Sequence, residues 1–276
     1  MMTQAVPPAS GMLRMCRILE VVAHSPVLKS FLVPRLFDAL PGQFVNLWLP
    51  GIDEKPFSIS GIRETCMELS VKAVGPFTRR LIECAEGEWV GIRGPFGNGF
   101  PLEPGALLVG GGIGMAPIRF LAQMMAERGL PCTLVCGART RADLIFEPEL
   151  LRWGCHMSTD DGSCGTCGQV TDLLDGLMAE HPASAVCAAG PEPMLLRIME
   201  FADRWSLPYH ISFERYMKCG IGICGQCCVD GSGIRLCIEG PVLNRDQTRL
   251  VTEFGLPHRD ASGLRPGTPA SPLGKR

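Results

Sequence analysis

Five cysteines fall within "ERYMKCGIGICGQCCVDGSGIRLC", residues 214–237. Thiols this close together can form disulfides, hold zinc, hold an iron–sulfur cluster or work as a redox pair. Cys219, Cys224 and Cys227 fit C-x4-C-x2-C, and nine residues then separate Cys227 from Cys237. A three-cysteine run of this spacing with a later fourth is the plant-type [2Fe–2S] pattern. Gly220, Gly222 and Gly225 let the loop turn tightly and bring backbone N–H donors near a cluster's sulfides. Structural zinc usually joins two C-x2-C knuckles, and no second knuckle lies at the usual separation, so zinc is the weaker reading. Cys228 directly follows Cys227, so its side chain is expected to point elsewhere, leaving four ligands and one bystander. Cys164 and Cys167 form a separate C-x2-C. They are read as free thiols in preference to a second metal site.

Two glycine turns offer a different chemistry. "GGGIGMAP" (110–117) follows the apolar run "ALLV", and the N–H groups of a glycine turn that opens a helix suit a pyrophosphate. Gly111, Gly112 and Gly114 do not complete G-x-G-x-x-G, because Pro117 takes the last position. Alone, the motif is also compatible with a tight turn that binds nothing. "AAGPEPM" (188–194), with Gly190 and Pro191, is a second strand-to-helix turn. Two such turns at the C-terminal ends of parallel strands strengthen the case for a nucleotide. In "KPFSIS" (55–60) and "VKAVGPFTRRL" (71–81), Lys55 can meet a phosphate, Phe57 can cover a flat ring, and Ser58 and Thr78 can hydrogen-bond. Taken alone, these residues read more simply as a strand with a buried Phe and a surface Lys.

The elements that must position these groups divide the chain. Its 276 residues suit two domains, and 46% hydrophobic content suffices for buried cores. A net charge of −2 gives no support for a nucleic-acid partner. The start "MMTQAVPPAS" shows no basic segment followed by an apolar run, and no apolar stretch approaches about 18 residues. A cytoplasmic protein with reduced thiols is expected, in which most of the 14 cysteines stay free or bind metal. Residues 1–11 are expected to fray. Over 12–103, "RILEVVAHS", "GQFVNLWLP", "KPFSIS", "MELSVKAV" and "EWVGIRGP" read as short strands of a barrel or sandwich. Over 104–213, "ALLVGGGIGMAPIRFLAQMMAERG", "CTLVCGA", "SAVCAAGPEPMLLRIMEFADRW" and "PYHISF" alternate strand and helix, which implies a doubly wound parallel sheet. A cysteine-rich segment over 214–250 follows, and the tail over 255–276 is expected to be disordered.

Barrel, nucleotide domain and cysteine loop, in this order, resemble the ferredoxin reductase-like flavoproteins. "KPFS", "GGGIGMAP" and "AGPEPM" stand where that family holds FAD, holds NAD(P) and approaches the nicotinamide. Within it, "ERYMKCGIGICGQCCVDGSGIRLCIEGPV", "GARTRADLIFE" and "TDDGSCGTCGQVTDLL" are most similar to the electron-transfer subunits of NAD-linked dihydroorotate dehydrogenase B. The resemblance spans about residues 12–245. It implies an antiparallel β-barrel for FAD, a parallel sheet for NAD and a C-terminal [2Fe–2S] loop. It places FAD contacts at Lys55, Pro56, Phe57, Ser58, Val71, Lys72, Ala73, Phe77 and Thr78. The nucleotide would lie over Gly111, Gly112 and Gly114, with Gly190 and Pro191 near the nicotinamide. The cluster would be held by Cys219, Cys224, Cys227 and Cys237. The implied partner is an FMN-containing catalytic subunit, two of each chain forming a heterotetramer in pyrimidine biosynthesis.

Two positions depart from the family pattern. Lys55 replaces the more usual Arg, keeping the charge without the bidentate fork, and Ala189 stands where many members carry Cys. Arg139 and Arg141 offer charge for a 2′-phosphate, whereas Asp160 and Asp161 oppose one, and the reading leans to NAD. No acid–base constellation is expected, because His24, His156, His181, His210 and His258 are scattered. An FAD/[2Fe–2S] subunit of another NAD(P)H–ferredoxin, sulfide or hydrogenase complex, or a non-catalytic iron–sulfur sensor, is the alternative expectation.

Overall fold

The computed structural model describes residues 11–256 together with Arg259. The expected frayed start before Gly11 and most of the expected tail lie outside the described residues. The first half of the chain is antiparallel. It comprises β1 (Arg14–Arg17), β2 (Glu20–Ser25), β3 (Leu28–Pro34), β4 (Phe44–Leu49), β5 (Asp53–Ile62), β6 (Cys66–Lys72), the short helix α1 (Pro76–Leu81) and β7 (Trp89–Phe96). In space the strands run β1-β7-β4-β5-β6-β3-β2.

The two edge strands are consecutive in the chain. The Ile18 N–H bonds to the Glu88 carbonyl beside β7, and the Leu19 N–H bonds to Leu32 of β3. The backbone therefore passes from one edge of the sheet to the other, and the sheet curls around a core that includes Phe31, Val45, Leu47, Ile59, Leu69 and Ile92. β5 serves both halves of the curl. Its first part pairs with β4, its last residues pair with β6, and a bulge lies between Ile59 and Gly61. A bulge bends its strand and increases the local twist, which such a curl needs. β3 is absent from the sequence-based strand set. It is buried at most positions and so lacks the in–out alternation that marks a strand with one solvated face.

The second half alternates. It contains β8 (Ala106–Gly111), α2 (Met115–Glu127), β9 (Cys132–Ala138), α3 (Glu147–Arg152), β10 (His156–Thr159), β11 (Thr166–Cys167), α4 (Leu174–Glu180), β12 (Val186–Ala189), α5 (Glu192–Arg204) and β13 (Tyr209–Ser212). After a long loop come β14 (Val242–Asn244) and α6 (Arg245–Thr248). The sheet order is β11-β10-β9-β8-β12-β13-β14, parallel except for β14. Every residue of β8 and β12 is buried, as strands covered on both faces must be. α5 buries Leu195, Ile198, Phe201 and Ala202, one stripe at helical spacing.

β9 lies on one side of β8 and β12 on the other. Crossovers that diverge in this way leave a crevice at the carboxyl ends of the two central strands. The cysteine loop is inserted between β13 and β14, which are hydrogen-bonded neighbours, so the loop returns to the sheet it leaves. No helix among the described residues is long and apolar enough to cross a membrane.

Candidate cofactor-binding site

One cleft of about 620 Å³ opens where the barrel, the carboxyl ends of β8 and β12 and the segment 212–217 meet. This volume is in the usual range for a cofactor pocket. Lys55, Pro56, Phe57 and Ser58 of β5 line it, with Lys72, Phe77, Thr78 and Gly114. Phe44, Phe213 and Met217, none of them singled out from the sequence, complete its apolar side. Phe57 and Phe77 stack with ring centroids 6.0 Å apart, giving an apolar wall that suits a flat ring system.

Val71 and Ala73 are placed differently. The Val71 side chain is buried in the barrel core, and the Ala73 N–H bonds to the Val27 carbonyl at 2.8 Å. Thr78 caps α1. Its Oγ1 accepts from the N–H groups of Val74 (2.9 Å) and Gly75 (3.0 Å) and donates to the Gly75 carbonyl (3.1 Å). That hydroxyl shapes the turn beside the cleft.

Both lysines of the cleft carry partners. Lys55 Nζ lies 2.5 Å from Asp53 Oδ2, donates to the Tyr216 hydroxyl at 3.0 Å and sits 5.1 Å from the Tyr216 ring centroid. Partial burial pulls its pKa down, but the bonds to Asp53 and Tyr216 outweigh burial and hold it above the usual lysine value. Lys72 Nζ pairs with Asp143 Oδ1 at 2.5 Å, joining β6 to the nucleotide half. That hydrogen bond holds the Asp143 carboxyl below the usual range.

The two glycine turns rest on each other. A Cβ at Gly114 would lie 2.4 Å from the Ala189 carbonyl oxygen, so only glycine permits this approach of the β8 turn to the end of β12. Gly111 and Gly190 abut beneath Met194, and Pro191 immediately precedes α5. Gly112 begins a 3-10 turn, over Gly112–Gly114, that leads into α2. In the segments that follow β9 and β10, Arg141 is held by both oxygens of Glu147 at 2.8 and 3.1 Å, and Asp161 Oδ1 accepts from the Ser163 hydroxyl and N–H. No histidine among the described residues lines the cleft. His24 bonds Ser30 at 2.9 Å, burial lowers the pKa of His210, and His258 lies outside the described residues.

The cysteine loop docks on the barrel. Asn46 Nδ2 donates to the Lys218 carbonyl at 2.9 Å and Arg93 Nη1 to the Cys219 carbonyl at 3.2 Å. Asn98 Nδ2 donates to the carbonyls of Glu239 (2.9 Å) and Val242 (2.8 Å), and its Oδ1 accepts from the Val242 N–H. None of these three carries a local motif. Asn46 alone leaves a trace in the sequence, an amide in the apolar run "FVNLWL" that is 1% exposed; a polar group buried there must find a partner.

The thiols fall into two pairs within hydrogen-bonding reach, Cys219 with Cys224 and Cys227 with Cys237. Partial burial pushes the Cys219 thiol up, but N–H groups of Cys224, Ile221 and Ile223 directed at its sulfur outweigh burial and bring it to about 7. The Cys237 thiol donates to Cys227, lowering Cys227 to about 6 and raising Cys237. Gly220 has φ of +73°, and a Cβ there would meet the Phe96 ring at 2.7 Å. Cys228 stays outside both pairs, its backbone bridged to Arg235. No three His, Cys, Asp or Glu side chains among the described residues gather around a single-ion site. Two thiol pairs and inward N–H donors fit a cluster of two irons held by four thiolates. Cys164 and Cys167 are free thiols with different partners: one sulfur lies 4.0 Å from Glu147 Oε1, the other 3.8 Å from the Asp160 carbonyl.

Residues 214–249 match the family model for the iron–sulfur cluster binding domain of dihydroorotate dehydrogenase B, and residues 108–199 match the oxidoreductase NAD-binding domain. The chain is 43% identical over 252 residues to a probable dihydroorotate dehydrogenase B (NAD(+)) electron transfer subunit of Methanocaldococcus jannaschii, covering 91% of this chain and 96% of the relative. It is 44% identical over 255 residues to the corresponding protein of Methanothermobacter thermautotrophicus, covering 90% and 95%. Among solved structures, one described under flavin-based electron bifurcation by the NADH-dependent reduced ferredoxin-NADP oxidoreductase superposes with a TM-score of 0.77 at 30% identity, covering 86% of this chain and 91% of that one. A ferredoxin NADP+ reductase from Neisseria gonorrhoeae with bound FAD and NADP shares the fold, with a TM-score of 0.61 at 18% identity over 70% and 91% of the two chains.

Proposed function

The chain belongs to the family of electron-transfer subunits of NAD-linked dihydroorotate dehydrogenase B, and on that premise we propose that it relays electrons from a dihydroorotate-oxidising partner to NAD+ in pyrimidine biosynthesis. The partner is an FMN-containing catalytic chain, two copies of each assemble, and the complex works in the cytoplasm. The observation that carries this reading is the single cleft that gathers the "KPFS" strand, the β8 turn and the segment leading to Cys219.

In this reading Lys55, Pro56, Phe57 and Ser58, with Val71, Lys72, Ala73, Phe77 and Thr78, hold FAD. Phe57 and Phe77 give its ring system an apolar wall, while Lys55 and Lys72 offer positive charge that their carboxylate partners share. Val71 contributes through the strand it helps build, and Ala73 through the backbone that follows that strand. Gly111, Gly112 and Gly114 present backbone N–H groups to the NAD pyrophosphate, and Gly190 and Pro191 flank the nicotinamide. Cys219, Cys224, Cys227 and Cys237 hold [2Fe–2S]. When bound, FAD exchanges electron pairs as hydride with NAD and single electrons with the iron–sulfur centre, so no acid–base residue of this chain is required. Met217 lines the cleft two residues before Cys219, so the backbone itself links the two sites.

The similarity to the electron-bifurcation structure favours a second reading, a subunit that serves a ferredoxin-linked complex. Co-expression with a dihydroorotate-oxidising subunit decides between them. The expected result is a stable complex with flavin and [2Fe–2S] absorbance and dihydroorotate:NAD activity. A complex that oxidises only another donor overturns the substrate and leaves the relay. A colourless protein carrying one zinc per chain overturns the relay.

A further inference from the structure

Arg215 occupies a place that cofactor binding does not explain. It lines the cleft, yet its guanidinium turns into the protein and its side chain is 5% exposed. Nε donates to Glu253 Oε1 at 3.2 Å, and Nη1 donates to Glu192 and, at 2.7 Å, to the Glu214 carbonyl. The Phe213 ring centroid lies 5.6 Å away, and Phe254 packs on Phe213 at 4.5 Å. The second oxygen of Glu192 accepts the Gly255 N–H at 2.8 Å.

Three segments far apart in sequence meet at this guanidinium. Glu192 is the first residue of α5, directly after the Gly190–Pro191 turn. Arg215 stands four residues before Cys219, and Glu253 belongs to the closing segment after α6. A buried cation with two carboxylates carries a desolvation penalty, and apolar residues of similar volume often hold a fold as well or better. Cohesion alone therefore does not account for it. A planar fork can fix several acceptors at set angles, which a lysine cannot do.

We propose that Arg215 is a positioning residue: through Glu192 and Glu253 it holds the nicotinamide-side turn, the cleft wall and the root of the cysteine loop in one register. The inference rests on the relay reading above, because it supposes that a nicotinamide enters at the turn and that electrons leave through the loop.

The test compares Arg215→Lys and Glu192→Gln with the parent chain, purified with its cofactors. Hydrogen exchange is followed without nucleotide, and flavin bleaching is followed in a single turnover at saturating NADH. Arg215→Lys keeps the charge and loses the fork. Exchange is expected to rise together over residues 190–195 and 216–219 but not in β4. Bleaching is expected to slow by up to about 100-fold, the cost of roughly 1 Å of misplacement. Glu192→Gln retains an oxygen for the Gly255 N–H, so exchange should rise over 190–195 alone. Parental exchange and bleaching in Arg215→Lys overturn the proposal, as does exchange that rises through β4 with loss of cofactor absorbance. Should Arg215→Lys fail to fold, parental exchange over 190–195 in Glu192→Gln overturns it. A parent whose flavin NADH does not bleach sinks the relay reading, while the exchange pattern still judges the hub.

Discussion

The two thiol pairs of the cysteine loop share one motif but not one environment. Cys227 and Cys237 are 2% and 1% exposed and belong to the same core cluster as Phe96, Val229 and Leu236. Cys224 is exposed and Cys219 half-buried, beside Ile221 and Ile223, which are 42% and 79% exposed. The inner pair is thus part of the packing that folds the loop onto the sheet. The outer pair forms its rim. Residues with the same chemical task should therefore differ in what their loss does to the fold.

The largest contrast is expected between Cys237→Ser and Cys224→Ser. Both should abolish or alter the [2Fe–2S] absorbance. In the metal-free chain, Cys237→Ser buries a hydroxyl and should cost about 1–3 kcal/mol in a denaturant melt. Cys224→Ser should stay within about 0.5 kcal/mol of the parent and keep most of its NADH–dye reduction. Equal melts for the two would erase the distinction between rim and core.

The same logic applies to the glycine turns. Gly114→Ala forces a methyl against the Ala189 carbonyl and should cost about 1–3 kcal/mol, with slower flavin reduction by NADH. Parental stability and rate would show that the two turns can part without consequence.

Lys72→Met probes a contact of intermediate burial, its partners 22% and 19% exposed. The loss at neutral pH should be about 1 kcal/mol or less. The Asp143 carboxyl is held below its ordinary pKa of 3.8. Its contribution is present above that value and is lost as pH falls through the depressed one. The gap in melting temperature between parent and variant should therefore close below about pH 4; a gap that persists there would remove the charge from the explanation. The smallest effect is expected for exposed Cys167→Ser, within about 0.5 kcal/mol and with unchanged absorbance. Loss of bound iron in that variant would contradict its reading as a free thiol.

Legibility in the sequence followed locality. The cysteine loop could be read because a cluster's ligands and the turns between them lie within one short segment, 219–237. The strand-to-helix turns could be read because glycine between an apolar run and a helical stripe has a conformational meaning of its own. β3 escaped notice because burial at most positions removes alternation, and β14 because three residues after a glycine-rich loop carry too little pattern.

By itself, then, the sequence determined which groups are available: four spaced cysteines, two glycine turns and a strand bearing Lys55, Phe57 and Ser58. These needs are met by neighbours in the chain and are written there. Only the tertiary structure decided that the strand, the end of the β8 turn and the segment leading to the cysteines line one cleft, because that depends on β12 returning beside β8 and β14 beside β13. It also chose the anchors. Asn46, Arg93 and Asn98 act on carbonyls more than a hundred residues away, and Arg215 joins Glu192 to Glu253. Hydrogen bonds and ion pairs of that reach depend on where the folded backbone brings its polar groups, so no local pattern can announce them.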